Sequence, residues 1–123
     1  MITAICPGSY DPVTFVERDR DACRAISQNL EKLKLTGARV ACGDALWMLR
    51  HDPRTYDLVL VDPPYEAWSE LEPKLAEHLP RVLAPGGLLV VETGARTEPA
   101  LPLPIRTSRR YGSARLTLFE HPS

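Results

Sequence analysis

No apolar run in this chain of 123 residues approaches the roughly twenty residues that cross a membrane as a helix. Nor does the apolar core of a secretory leader open it. Cysteine is scarce: Cys6, Cys23 and Cys42 are odd in number and widely spaced. No C-x-x-C pair or cysteine/histidine ligand spacing is present, which speaks against a structural metal and predicts reduced thiols in a cytoplasmic protein. His51, His78 and His121 stand far apart and read as ordinary surface or core residues. Internal repeats and low-complexity blocks are absent. The nearest thing to a linker is Thr97 to Pro104, whose three prolines favour an extended loop.

What is present is the composition of one globular domain, 44% hydrophobic and 25% charged. A net charge of −1 gives no overall pull toward nucleic acid. The average hides an asymmetry, because Arg96, Arg106, Arg109, Arg110 and Arg115 all fall in the last thirty residues, against two acids there. The C-terminal end is therefore locally basic.

Strand and helix patterns alternate. "VTFVE" reads as a short strand, and the following helix places Ala22, Ile26, Leu30 and Leu33 on one stripe, with Asp19 as its cap and Thr36-Gly37 as its stop. "ARVAC" and "YDLVLV" read as strands separated by a short helix, "ALWMLRH", closed at Asp52-Pro53. A longer helix over residues 67–83 carries Pro73 and Pro80, which predict a kink or an irregularity. "GGLLVVET" is a buried strand, and the chain ends in a hairpin about Gly112. The order predicts an α/β three-layer fold around a mainly parallel sheet, with an antiparallel end.

Ligands of such sheets sit at the carboxyl ends of the parallel strands. Glu17, Asp44, Asp62 and Glu92 all fall there. After the buried strand "LVLV" comes Asp62-Pro63-Pro64-Tyr65. Two prolines stiffen this loop and remove two backbone donors, so its carbonyls are left as acceptors. The Asp62 carboxylate and the Pro63 carbonyl suit the two hydrogens of an exocyclic amino group, and Tyr65 suits stacking on an extruded base. Methylation of such a nitrogen needs positioning more than acid–base chemistry.

With these residues in place, the stretch from about Val13 to Glu120 resembles the ribosomal RNA small-subunit methyltransferase D family. The likeness rests on "TFVERD", "GDA", "DLVLVDPPY", "LAPGGLLVVET" and "RRYGSARLTLFE". It implies a Rossmann-like methyltransferase sheet, S-adenosylmethionine as cofactor, and methyl transfer to a guanine amino group of 16S rRNA, free or in the assembling small subunit. It further implies that Glu17, with Arg18 beside it, holds the cofactor ribose. Asp44 would accept from the adenine amino group, with Ala45 beside the ring. Asp62, Pro63, Pro64 and Tyr65 carry the catalytic role. Arg109, Arg110 and Tyr111 combine charge with a stacking ring and are candidates for RNA contact. No metal and no membrane partner are implied.

The same family places a basic segment, a strand, a glycine-rich loop and a helix ahead of the position of Thr14. Here "MITAICPGSYDPV" stands there instead, so the sheet is expected to be incomplete and one face of it uncovered. "PGSYDPVT" resembles the opening of phosphopantetheine adenylyltransferase, without the Gly-His that completes that family's motif. Residues 1–13 thus read as a foreign strand and turn on the C-terminal portion of a methyltransferase. Seven residues between Cys6 and Thr14 are too few for a parallel return. Ile2–Cys6 is therefore expected to pair antiparallel with residues 13–17, or to stay loosely attached, rather than fill the central slot. Gly8 and Ser9 are the candidate substitutes for the missing loop. Three functions stay open: an rRNA methyltransferase, a nucleotide binder related to the adenylyltransferase, and an inactive chimaeric remnant.

Overall fold

The computed structural model describes residues 2–9 and 11–123. Its strands are β1 (Ile2–Ile5), β2 (Val13–Glu17), β3 (Ala38–Cys42), β4 (Tyr56–Val61), β5 (Leu83–Gly94), β6 (Ile105–Tyr111) and β7 (Ala114–Glu120). Its helices are α1 (Arg20–Lys32), α2 (Ala45–His51) and α3 (Trp68–Val82). All seven strands join one sheet in the order β3-β2-β1-β4-β5-β7-β6. β2 pairs parallel with β3 and β4 pairs parallel with β5, while β7 is antiparallel to both β5 and β6.

β1 corrects one expectation and meets another. It does pair antiparallel with β2, Ile2 opposite Val16 and Ile5 opposite Val13. Yet it also fills the central slot, because its other edge pairs antiparallel with β4, Ile2 opposite Val61. The expectation treated these as alternatives. A short hairpin satisfies both, since an antiparallel strand can enter a parallel sheet without any crossover, and an empty slot would leave two rows of backbone groups unpaired. The Pro7-Gly8-Ser9 turn consequently lies at the end of the sheet remote from Glu17 and Val61. Ser9 is occupied there, its hydroxyl lying 3.1 Å from the Cys6 carbonyl oxygen and 2.9 Å from that of Asp11. Gly8 and Ser9 are therefore not a substitute for a cofactor loop. Tyr10, part of the adenylyltransferase resemblance, lies outside the described residues.

Local chemistry explains the helices. Asp19 caps α1, its side chain accepting from the Asp21 N–H at 3.0 Å. That helix ends earlier than its glycine suggests. Lys34 takes the left-handed conformation at φ 55°, with the Lys34 N–H on the Glu31 carbonyl and the Leu35 N–H on that of Leu30. α3 runs through both Pro73 and Pro80, which withholds intrahelical bonds from the Ser69 and Ala76 carbonyls.

Crossover handedness sets the layers. The step from β2 through α1 to β3 moves one way across the sheet, and the steps through α2 and α3 move back. Right-handed connections therefore put α1 on one face and the α2–α3 pair on the other. The α2–α3 face holds the core, with Val59, Leu79, Val82, Leu89, Val91 and Phe119 all at 0% exposure. Residues 97–104 close the same face instead of forming a free linker: Leu101 is buried, and the Ala100 N–H donates to Glu72 Oε2 at 3.2 Å. On the opposite face, register aligns Phe15, Thr3, Leu60, Val90 and Leu118 in one row across five strands. Among the described residues only α1 covers part of it, so Leu60 and Leu116 stay 37% and 38% exposed. This is the uncovered face expected from the sequence.

Where α2 hands over to β4, Asp52 gathers four donors. Its Oδ1 accepts from the Arg54 backbone N–H at 3.0 Å and from Arg54 Nε at 3.1 Å, and its Oδ2 accepts from Arg54 Nη2 at 3.2 Å and from the Tyr56 hydroxyl. Burial by itself would raise the Asp52 pKa; the Arg54 and Tyr56 hydrogen bonds and the Arg54 charge outweigh it and hold the carboxyl below its ordinary value. Burial and the same carboxylate push Tyr56 up to about 12.

Candidate functional site

β2, β3 and β4 run in the same direction, so their carboxyl ends meet on one rim of the sheet. A cleft of about 750 Å³ opens there, and it brings together Glu17, Arg18, Asp44, Ala45, Pro63 and Pro64 from three separate loops. Its apolar wall comes from Ile2, Val16, Val61, Leu71 and Leu75. Ile2 is where the reversed central strand begins, and that contribution was not legible in the sequence.

Each acid is oriented by backbone donors. Glu17 ends β2, and its Oε1 accepts from the N–H groups of Arg18 at 3.0 Å and Asp19 at 3.1 Å. Asp44 caps α2, Oδ1 accepting from the Leu46 N–H at 2.9 Å. The Gly43 N–H reaches the Glu17 carbonyl at 2.8 Å, which joins the two loops. A covalent bond joins them again, since Cys23 and Cys42 form a disulfide with their Cα atoms 5.9 Å apart. That corrects the expectation of three free thiols. Parallel register sets Cys42 beside Glu17, and the first turn of α1 brings Cys23 back over the same strand end, within the span a disulfide bridges. Wide sequence spacing concealed this proximity. Cys6 stays a free thiol.

The Asp62-Pro63-Pro64-Tyr65 loop divides at its middle. Pro63 is buried and lines the cleft with Pro64, while Asp62 is exposed on the same loop. Tyr65 opens a 3-10 turn over Tyr65–Ala67 and goes the other way, onto the end of β5. Its hydroxyl donates to Glu92 Oε2 at 3.1 Å, and its ring lies beside Gly94, where a Cβ would meet it at an ordinary contact distance of 3.7 Å. Partial desolvation and the Glu92 carboxylate raise the Tyr65 pKa. Glu92 stood out in the sequence only as an acid at a strand end; its partner lies 27 residues away.

Arg109, Arg110 and Tyr111 are exposed on the edge strand β6, on the same rim but separated from the cleft by β5 and β7. Three strand spacings put them about 14 Å from the end of β4. Among the described residues, no three histidine, cysteine, aspartate or glutamate side chains gather to hold a metal, and no helix is long and apolar enough to cross a membrane.

The family model described as Conserved hypothetical protein 95 matches residues 2–120. It takes in the opening strand, and the likeness of that strand to an adenylyltransferase finds no support among the similar proteins. Among solved structures the chain is similar to yhhF of Escherichia coli, provisionally described as a methyltransferase. The TM-score is 0.79 with 25% identity over 89% of this chain and 64% of that one. A hypothetical protein of Thermus thermophilus gives a TM-score of 0.73 and 28% identity over 87% of this chain and 61% of that chain. TrmN of Thermus thermophilus gives 0.74 and 20% identity over 88% and 36%. The chain thus spans less than two thirds of the length of the first of these relatives. No curated protein matches it. The seven-stranded α/β sheet is that of a methyltransferase fold.

Proposed function

The chain belongs to the Conserved hypothetical protein 95 family, and from that premise we propose that it is an S-adenosylmethionine-dependent methyltransferase acting on a guanine exocyclic amine of 16S rRNA. One observation carries the reading: a single cleft gathers Glu17, Arg18, Asp44, Ala45, Pro63 and Pro64, residues that the strand-end pattern, the Asp-Pro-Pro-Tyr loop and the resemblance had together nominated. The substrate would be free rRNA or the assembling small subunit, in the cytoplasm.

The residues fit the nucleoside half of the cofactor. Glu17 offers a carboxylate, held by two backbone N–H groups, to a vicinal diol. Asp44 offers a second to an exocyclic amine, and Ala45 with the apolar wall accepts a ring. When bound, S-adenosylmethionine supplies an electrophilic methyl group. Asp62 and the Pro63 carbonyl then accept the two hydrogens of the target amine and fix the direction of its lone pair. Tyr65, anchored by Glu92, presents its ring to the guanine. Positioning of this kind is worth several kcal/mol of barrier, roughly 7–11 in well-oriented systems.

The amino-acid half fits less well. A glycine-rich loop would offer backbone N–H groups to the methionine carboxylate, and at the corresponding end of the central strand stands apolar Ile2. That favours a second reading, a chain that binds the nucleoside without transferring methyl groups. Calorimetric titration with S-adenosylhomocysteine tests both. Micromolar binding, weakened about tenfold or more by Glu17→Ala, is expected. Methyl incorporation into rRNA would then select the first reading, and its absence the second. A folded chain that binds nothing sinks both.

A further inference from the structure

Beside the Asp62–Tyr65 loop lies a second concavity, of about 360 Å³, lined by Gly94, Ala95, Arg96, Thr97, Arg110 and Ser113. It forms where the turn after β5 meets the β6–β7 hairpin. The Ala95 N–H donates to the Ser113 carbonyl and the Thr97 N–H to that of Gly94, both at 2.9 Å. Arg115 supports this wall from behind, with Nε on the Ala95 carbonyl at 3.0 Å and Nη1 on Ser108 Oγ at 3.0 Å. The same Nη1 lies 3.5 Å from Glu98, so the acid of this neighbourhood is already paired.

The two arginines that line the groove are differently placed. Both are exposed. Neither forms an ion pair among the described residues, and the Arg110 guanidinium reaches only the Gly112 carbonyl, at 3.4 Å. Two unneutralised guanidinium groups therefore line one hollow with two hydroxyl-bearing side chains, Thr97 and Ser113. That donor set matches a phosphate, which guanidinium groups bind through paired N–H bonds. Arg109 does not share the task. Strand alternation turns it to the opposite face, where register sets it against Leu116 while Arg110 faces Arg115.

Gly94 connects the groove to the chemistry, for the residue that lines it also lies beside the Tyr65 ring. We propose that Arg96 and Arg110 clamp a backbone phosphodiester of the RNA strand next to the nucleotide whose base lies against Tyr65. This rests on the methyltransferase reading above. The clamp fixes the strand's register and carries no sequence information.

The test titrates a fluorescein-labelled single-stranded RNA oligonucleotide against the full chain over a salt series. The variants are Arg96→Gln/Arg110→Gln and, as a control, Arg106→Gln, whose guanidinium pairs with Glu120 at 3.7 Å on the hairpin's outer end. The clamp predicts that the slope of log affinity against log salt falls by about 0.7 for each groove arginine removed, with the control unchanged and S-adenosylhomocysteine affinity intact. An unchanged slope with intact S-adenosylhomocysteine binding overturns the clamp and leaves the methyltransferase reading standing. Loss of S-adenosylhomocysteine binding in the parent chain removes that reading and the clamp with it. Inorganic phosphate that displaces the RNA at equal concentration reassigns the groove to a free anion and also overturns the clamp.

Discussion

On one face of the sheet, α2, α3 and residues 97–104 remove Val59, Leu79, Leu89 and Phe119 from water altogether; on the other, α1 covers a margin and leaves Leu60 and Leu116 more than a third exposed. The strands between are the same strands, with apolar side chains on both sides. The difference comes from the connections: three crossovers supply helices, and the short β1–β2 link supplies none. Stability is therefore concentrated on one face, while the cleft and the groove occupy the rim and draw on that face for support.

Leu79→Ala tests the covered face with the largest expected effect. It should lower stability by about 3–4 kcal/mol in urea unfolding, transfer and cavity terms together. A loss below about 1 kcal/mol would show that this face is loosely packed. Tyr56→Phe comes next, at about 1–2 kcal/mol, because it takes a donor from a partly buried carboxylate. Its pH dependence follows from the two shifts. Asp52 titrates below its ordinary 3.8 in the fold, so its contribution is complete above that value and lost as pH falls through the native one. Tyr56 titrates higher when folded, at about 12 against an ordinary 10, so its contribution is complete below pH 10 and lost between 10 and about 12. Melting temperature against pH should fall in both windows for the parent chain, and Tyr56→Phe should reduce both falls; the alkaline one is not abolished, because Tyr65 is raised as well. Leu60→Lys on the open face should be the mildest, within about 0.5 kcal/mol of the parent, with weaker binding of a hydrophobic dye. A large loss there would mean that this face is covered in solution.

Much of this was legible in the chain. Asp19 caps the helix it precedes, the hairpin turns at Gly112, and the residues nominated for the cofactor line one cleft, because caps, turns and strand-end loops depend on neighbours in sequence. The placement of β1 was not legible. Seven residues dictate an antiparallel return, but only the vacancy between β2 and β4 dictates where that strand docks. Likewise Lys34, not Gly37, terminates α1, since the bonds to Leu30 and Glu31 stabilise a left-handed lysine. Tyr65 could be nominated from its motif; its anchor on Glu92 depends on β4 and β5 lying side by side.

The bond between Cys23 and Cys42 closes a loop with a sequence separation of 19, a constraint worth about 3 kcal/mol of chain entropy. Its two ends belong to the loops that carry Glu17 and Asp44, which are thereby one mechanical part. Whatever enters the cleft meets two walls already set at their working distance, and no ordering entropy has to be spent on drawing them together.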